Sequence, residues 1–200
     1  MRVVVDRDGV TVVIPHRAAD RRASEAVLRL EPWIRDRLAE QAESLATVAA
    51  RGMTVPWLGE TLTLEPQPGR KSAHRSGSRI LVPEGDHRPA VERLLRRSAR
   101  EEITARLDRV ATECGHTWAS LRIGDMKSRW ASCSSGGRMS FSWRLMMAPD
   151  EVLETIVWHE VTHLDVPNHS QQFWRLMDSR RPEHRAHSAW LNRHGRELAL

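Results

Sequence analysis

Trp158-His159-Glu160-Val161-Thr162-His163-Leu164 is the stretch from which the rest of the chain can be read. It holds an H-E-x-x-H motif inside a helical pattern. A helix turns about 100° per residue, so positions i and i+4 share a face one turn apart. His159 and His163 can therefore present imidazoles to one point, a geometry that a zinc ion accepts. Glu160 is displaced around the helix but stays beside that point, where it can act on a metal-bound water as a general base. The alternative is a pair of ordinary core histidines, since the chain has 10 His in 200 residues. Roughly 0.04 chance H-E-x-x-H matches are expected at these frequencies, which favours the motif. The flanks agree. Pro149 suits a first helical turn, Asp150 and Glu151 suit its positive end, and Val152, Leu153, Ile156, Val157 and Val161 form one apolar face.

Working outward, composition narrows the classes. At 40% hydrophobic and 28% charged the chain has the make-up of a soluble globular protein. No apolar run approaches the roughly 20 residues that span a bilayer. Met1 to Asp6 carries no signal-peptide apolar region, so the expected location is cytoplasmic. Cys114 and Cys133 are the only cysteines, too few for a disulfide framework or an all-cysteine zinc site. The net charge of +5 comes mostly from arginine. No long Lys/Arg block appears, which favours a solvated basic surface over a nucleic-acid site.

The periodicities then place the elements. Arg2–Asp6 and Val10–Ile14, flanking Arg7-Asp8-Gly9, read as a β-hairpin, with Pro15 ending its second strand. Residues 23–50 read as helical, with a break expected at Pro32. Residues 55–64 read as a turn and strand, 66–77 as a polar loop, and 79–82 as a short strand. A long helix is expected over residues 89–114, with Gly115 as its stop. On it Arg93, Arg96, Arg97 and Arg100 form a stripe, read as a solvated face paired in part with Glu101. Thr117–Ile123 reads as a strand. Residues 126–135 and 139–145 read as a hairpin or a looser pair about Gly136-Gly137. After the motif helix come helices near 170–179 and 184–194. Two domains are expected, a β-rich portion over 1–86 and a catalytic portion over 87–200.

A catalytic zinc site takes three protein ligands and leaves one position open. His169 follows Pro167-Asn168 and precedes Ser170, a good N-cap. A reversal there could fold His169 back under the helix. Asp165 competes, but two residues past His163 it points elsewhere and suits a supporting role.

Taken together, His159-Glu160-x-x-His163-Leu164 and Asn168-His169-Ser170-x-x-Phe173-Trp174 resemble the YgjP/SprT-like zinc metallopeptidases. Lys127-Ser128-Arg129-Trp130-Ala131-Ser132-Cys133-Ser134 and Ser142-Trp143-Arg144-Leu145-x-x-Ala148-Pro149 strengthen the likeness, which is dense over residues 117–195. Ala131 stands where the family usually has Gly, and Ser142 where it usually has Asn. The resemblance implies an α+β, zincin-like core, with the active-site helix beside a small β-sheet and an N-terminal β-rich portion. It implies one Zn2+ on His159, His163 and His169, with Glu160 catalytic.

The expected activity is hydrolysis of peptide or protein substrates, with a strand near Arg138–Arg144 pairing an extended peptide. The chain has no Tyr to stabilise an oxyanion, which leaves Arg129, Arg144, His184 and His187 as oxyanion or substrate contacts. Trp130, Trp143, Trp158 and Trp174 read as core, and Cys133 as a small buried residue. Three other readings stand beside this one. They are a metal-dependent nucleotide hydrolase, without a Gly-rich phosphate loop; a DNA-associated SprT-like protease, without a DNA-binding motif; and a structural zinc fold, for which Glu160 would have no use.

Overall fold

A computed structural model describes residues 2–6, 9–13, 20–126 and 128–200. Arg7, Asp8, Ile14, Pro15 and Lys127, parts of the turn, strand end and motif expected above, lie outside the described residues. The chain divides into two compact units, Met1–Ala50 and Arg51–Leu200. The expected boundary at residue 86 falls inside the second unit. The reason lies in the packing: Val55, Trp57, Leu62, Leu64, Ile80 and Val82 belong to the same buried cluster as the helices that follow them.

In the first unit, strands β1 (Arg2–Asp6) and β2 (Gly9–Val13) pair antiparallel with Val3 opposite Val12. Helix α1 then runs unbroken over Asp20–Ala50, with Pro32 inside it. The break expected there does not occur. Proline removes one N–H and crowds the carbonyl four residues back, that of Leu28. Leu28, Pro32 and Trp33 are exposed, so water can satisfy that carbonyl and the helix continues on either side.

The second unit opens with a four-stranded sheet in the order β3 (Thr54–Trp57), β4 (Glu60–Gln67), β6 (Arg79–Pro83), β5 (His74–Ser76). Residues 66–77 are therefore not all loop. Strand β5 has three residues, none apolar, so no alternation marked it. In β4, Leu62 and Leu64 are buried while Thr61 and Thr63 are exposed, the period-2 pattern of a sheet with one face on a core. The β3–β4 turn is Leu58-Gly59, and both residues have positive φ, at 47° and 86°, which a two-residue hairpin favours. For Leu58 this backbone is unfavourable. Its N–H donates to the Met146 carbonyl at 2.8 Å, and its side chain packs on the core.

Helix α2 (Arg88–Glu113) buries Val91, Leu94, Leu95, Ile103, Leu107 and Val110 along one stripe. It stops at Gly115, whose φ is +71°. Arg96 pairs with Glu92 and lies over the Trp143 ring, while Arg100 donates to the Leu121 carbonyl. A three-stranded sheet follows in the order β7 (Ser120–Gly124), β9 (Arg138–Ser142), β8 (Ala131–Cys133), with β7 parallel and β8 antiparallel to β9. The hairpin about Gly136-Gly137 is present. A 3-10 turn (Trp143–Met147) leads into α3 (Asp150–Asp165), then α4 (Gln171–Arg180) and α5 (His184–His194). The architecture is α+β, with α3 beside a small sheet.

Helix α3 buries Val152, Leu153, Val157 and Val161 in the common core. Arg106 and Arg109 of α2 pair with Glu154, and Arg106 also pairs with Asp150. Burial pushes the Glu154 carboxyl up, but the Arg109 and Trp158 hydrogen bonds and the two arginine charges outweigh it and hold it below its ordinary value.

Pro32→Ala returns an amide to the Leu28 carbonyl inside an existing helix. It should stabilise that stretch of α1 by up to about 3 kcal/mol, read as slower amide hydrogen exchange around residues 28–36.

Candidate metal centre

One face of α3 carries His159 and His163, and the turn after it brings His169 to them. One nitrogen from each of the three rings lies within 4.8 Å of the others. His159 Nε2 and His169 Nε2 lie 2.9 Å apart. The reversal at Pro167-Asn168 makes this possible. Asn168 Oδ1 accepts from the Ser170 N–H at 3.1 Å, turning the chain into α4. Ser170 is the N-cap as expected, but its side chain makes no capping bond; Asn168 supplies the turn chemistry instead.

The two rings on α3 are held towards the neutral, lone-pair-bearing form that a cation needs. Burial, and after it the neighbouring His163, His169 and His184, lower His159 to about 3. Burial also lowers His163, against its bond to the Val166 carbonyl. That carbonyl can only accept, so His163 Nδ1 is the donor at 3.1 Å. Its Nε2 is left as the free ligand atom, the arrangement usual for metal-binding histidines.

Glu160 is 5% exposed, and its Oε2 is buried with no hydrogen-bond partner among the described residues. Burial pushes its carboxyl up to about 8, against the Arg129 charge and the Cys133 backbone amide, which pull it down. A buried carboxyl with an orphaned oxygen beside three converging imidazoles is a set of lone-pair donors, and a nearby cation would favour the carboxyl's charged form. The residues present fit a divalent cation.

Phe173 forms the floor of the site. It is fully buried and its ring centroid lies 4.8, 4.6 and 4.8 Å from those of His159, His163 and His169. Its helical spacing marked it only as apolar. Together with Val166 and Met177 it makes a small core of its own beneath the histidines. Asp165 turns away from the cluster, accepting from Arg180 at 2.8 Å and facing His116 Nε2 at 2.7 Å.

The four further candidates separate. Arg129 is exposed and close enough to act on Glu160. Arg144 is committed elsewhere. It forks onto Asp125, donates to the Leu198 carbonyl at 2.9 Å and lies over the Trp143 ring. His184 is buried, faces Asp178 and stacks on Trp174. His187 Nδ1 lies 2.7 Å from Thr155 Oγ1, one turn before His159 on α3. Trp143 is core, as expected; Trp130 and Trp158 are partly buried, and Trp174 is 37% exposed. Cys133 is half-buried, and burial, with the Glu160 charge behind it, raises its thiol to about 11.

The strand expected to meet an extended peptide is reassigned. Strand β9 is central, with both of its edges already paired, so Arg138–Ser142 has no ladder left to offer. Strands β7 and β8 are the edges, and β8 is the one beside Glu160. The Trp130 carbonyl accepts from Ser142, and the Ser134 N–H donates to Arg138. Antiparallel alternation then turns Ser132 towards β9 and leaves the N–H and C=O of Ala131 and Cys133 facing away from it. The Cys133 amide faces Glu160. The sequence marked β8 and β9 as a pair, but sheet order depends on β7, a partner distant in sequence.

A family model described as YgjP-like, metallopeptidase domain, matches residues 1–194. No curated protein matches the chain. Among solved structures, it is similar to the metallopeptidase zymogen of Pyrococcus abyssi abylysin, at 22% identity and a TM-score of 0.41, over 45% of this chain and 92% of that one.

Phe173→Ala empties the floor of the site. The metal-free chain should lose about 3–5 kcal/mol of stability, as for other buried aromatic truncations, read from the urea midpoint.

Proposed function

Because the chain belongs to the YgjP-like metallopeptidase family, we propose that it cleaves peptide bonds with one zinc ion held by His159, His163 and His169. The observation that carries this is the convergence of three imidazoles beside the buried Oε2 of Glu160, which has no partner among the described residues. Three histidines with an open fourth position suit a catalytic site, whereas a structural site is closed by a fourth protein ligand. When bound, the metal supplies Lewis acidity, polarising the scissile carbonyl and acidifying a water.

The chain's own residues do the rest. Glu160 takes the proton of the attacking water and later delivers it to the leaving nitrogen. Its burial suits both halves of that task, because a carboxyl raised from its ordinary range holds a proton long enough to hand it on. Strand β8 supplies the backbone surface. The outward N–H and C=O of Ala131 can pair with an extended peptide, which holds the scissile bond along α3. With no Tyr in the chain, the cation of Arg129 beside Glu160 is the group best placed to meet a developing oxyanion. His187, held by Thr155, is the second. The committed guanidinium of Arg144 instead fixes the loop at Asp125 and the chain near Leu198.

Glu160→Gln keeps the shape of the site and removes the base. Zinc should still bind stoichiometrically while kcat on a denatured protein substrate falls by about 10²–10⁴-fold; turnover at the parent rate would remove Glu160 from this role. Ala131→Pro deletes one outward donor of β8 without touching the bonds to β9. It should raise KM for peptides several-fold at unchanged zinc affinity, measured by steady-state kinetics with a chelator competition as control.

A further inference from the structure

Two of the three histidines are set by the backbone of α3, and His163 is further fixed by the Val166 carbonyl. His169 has no such support. It lies on the exposed turn before α4, and among the described residues its ring bonds no carboxylate or backbone carbonyl. What it has is a stack. The Trp174 ring lies 5.5 Å from it, centroid to centroid, at an interplanar angle of 23°. Trp174 in turn stacks with His184, at 5.6 Å and 14°. His184 is only 2% exposed. It donates from Nε2 to Asp178 Oδ1 at 3.0 Å, and Arg185 holds the other oxygen of that carboxylate at 3.1 Å.

The chain builds this stack from local spacing. Trp174 and Asp178 are four residues apart, on one stripe of α4. His184 is the first residue of α5, and its N–H donates to the Arg181 carbonyl at 2.9 Å. The break between the two helices therefore delivers the imidazole onto the indole. Offset, near-parallel rings at these separations are mutually stabilising.

We infer that Trp174 and His184 are positioning residues for the metal centre, the column His169–Trp174–His184 fixing the plane of His169 as a hydrogen-bonded carboxylate would fix a metal-binding histidine elsewhere. This rests on the metal site proposed above. His184 acts through Trp174 and touches no reacting atom. Its ring face is what matters for the stack.

The test titrates the metal-free full chain with Zn2+ against a chromophoric chelator, and with Co2+ followed by its visible absorption. Trp174→Leu and His184→Ala should each weaken zinc binding by about 10–100-fold and shift the cobalt bands, whereas His184→Phe, which keeps a ring in the column, should stay within about threefold of the parent. The thermal midpoint of each metal-free variant is read alongside. Parent-like affinity and cobalt bands in Trp174→Leu would overturn the inference. So would His184→Phe falling as far as His184→Ala, or affinity losses that only track loss of metal-free fold. A parent chain that binds neither ion would instead sink the metal site itself.

Discussion

The placement of α3 is the constraint on which the rest depends. The helix must bury Val152, Leu153, Val157 and Val161 on one side and hold two imidazoles steady on another. Apolar packing alone leaves some freedom to slide or roll. The Glu154 carboxylate, shared by Arg106, Arg109 and the Trp158 indole N–H, restricts that freedom. Partly buried, charge-assisted bonds are directional where dispersion is not. At the other end of the helix, Arg180 ties Thr162 and Asp165 to the end of α4. The histidine-bearing stretch of α3 is thus braced from α2 at its start and from α4 at its finish.

The elements arrayed on that helix divide by how they were encoded. His159, Glu160 and His163 were legible because their geometry is set by one turn of helix. His169 was legible because six residues and a Pro-Asn break leave few routes back. Phe173, by contrast, looked like any apolar residue of an amphipathic helix. Its position under all three imidazoles depends on how α4 docks. Strand β8 was visible as half of a hairpin, but its rank as an edge is settled by β7 pairing with β9. Pro32 misled for a different reason: the penalty it carries is local, and an exposed stretch can absorb it.

The Leu58-Gly59 turn shows a similar dependence at longer range. A leucine in left-handed backbone is a cost no local pattern would invite. Its N–H reaches the Met146 carbonyl, and a side chain on Gly59 would come 3.9 Å from the Pro149 Cα. The tip of the four-stranded sheet therefore rests against the chain just before α3 begins. Residues 51–83 help to set where the motif helix starts, which explains why they share its core.

Strand β8 carries one more consequence. An edge that leaves N–H and C=O groups outward can template any extended chain, including another copy of itself, and long flat edges of this kind seed aggregation. Here the edge has three residues. The Cys133 amide is turned towards Glu160, and Arg129 adds a like charge that two apposed copies would have to bring together. What remains open on β8 is about one residue's worth of ladder, too little to nucleate a fibre.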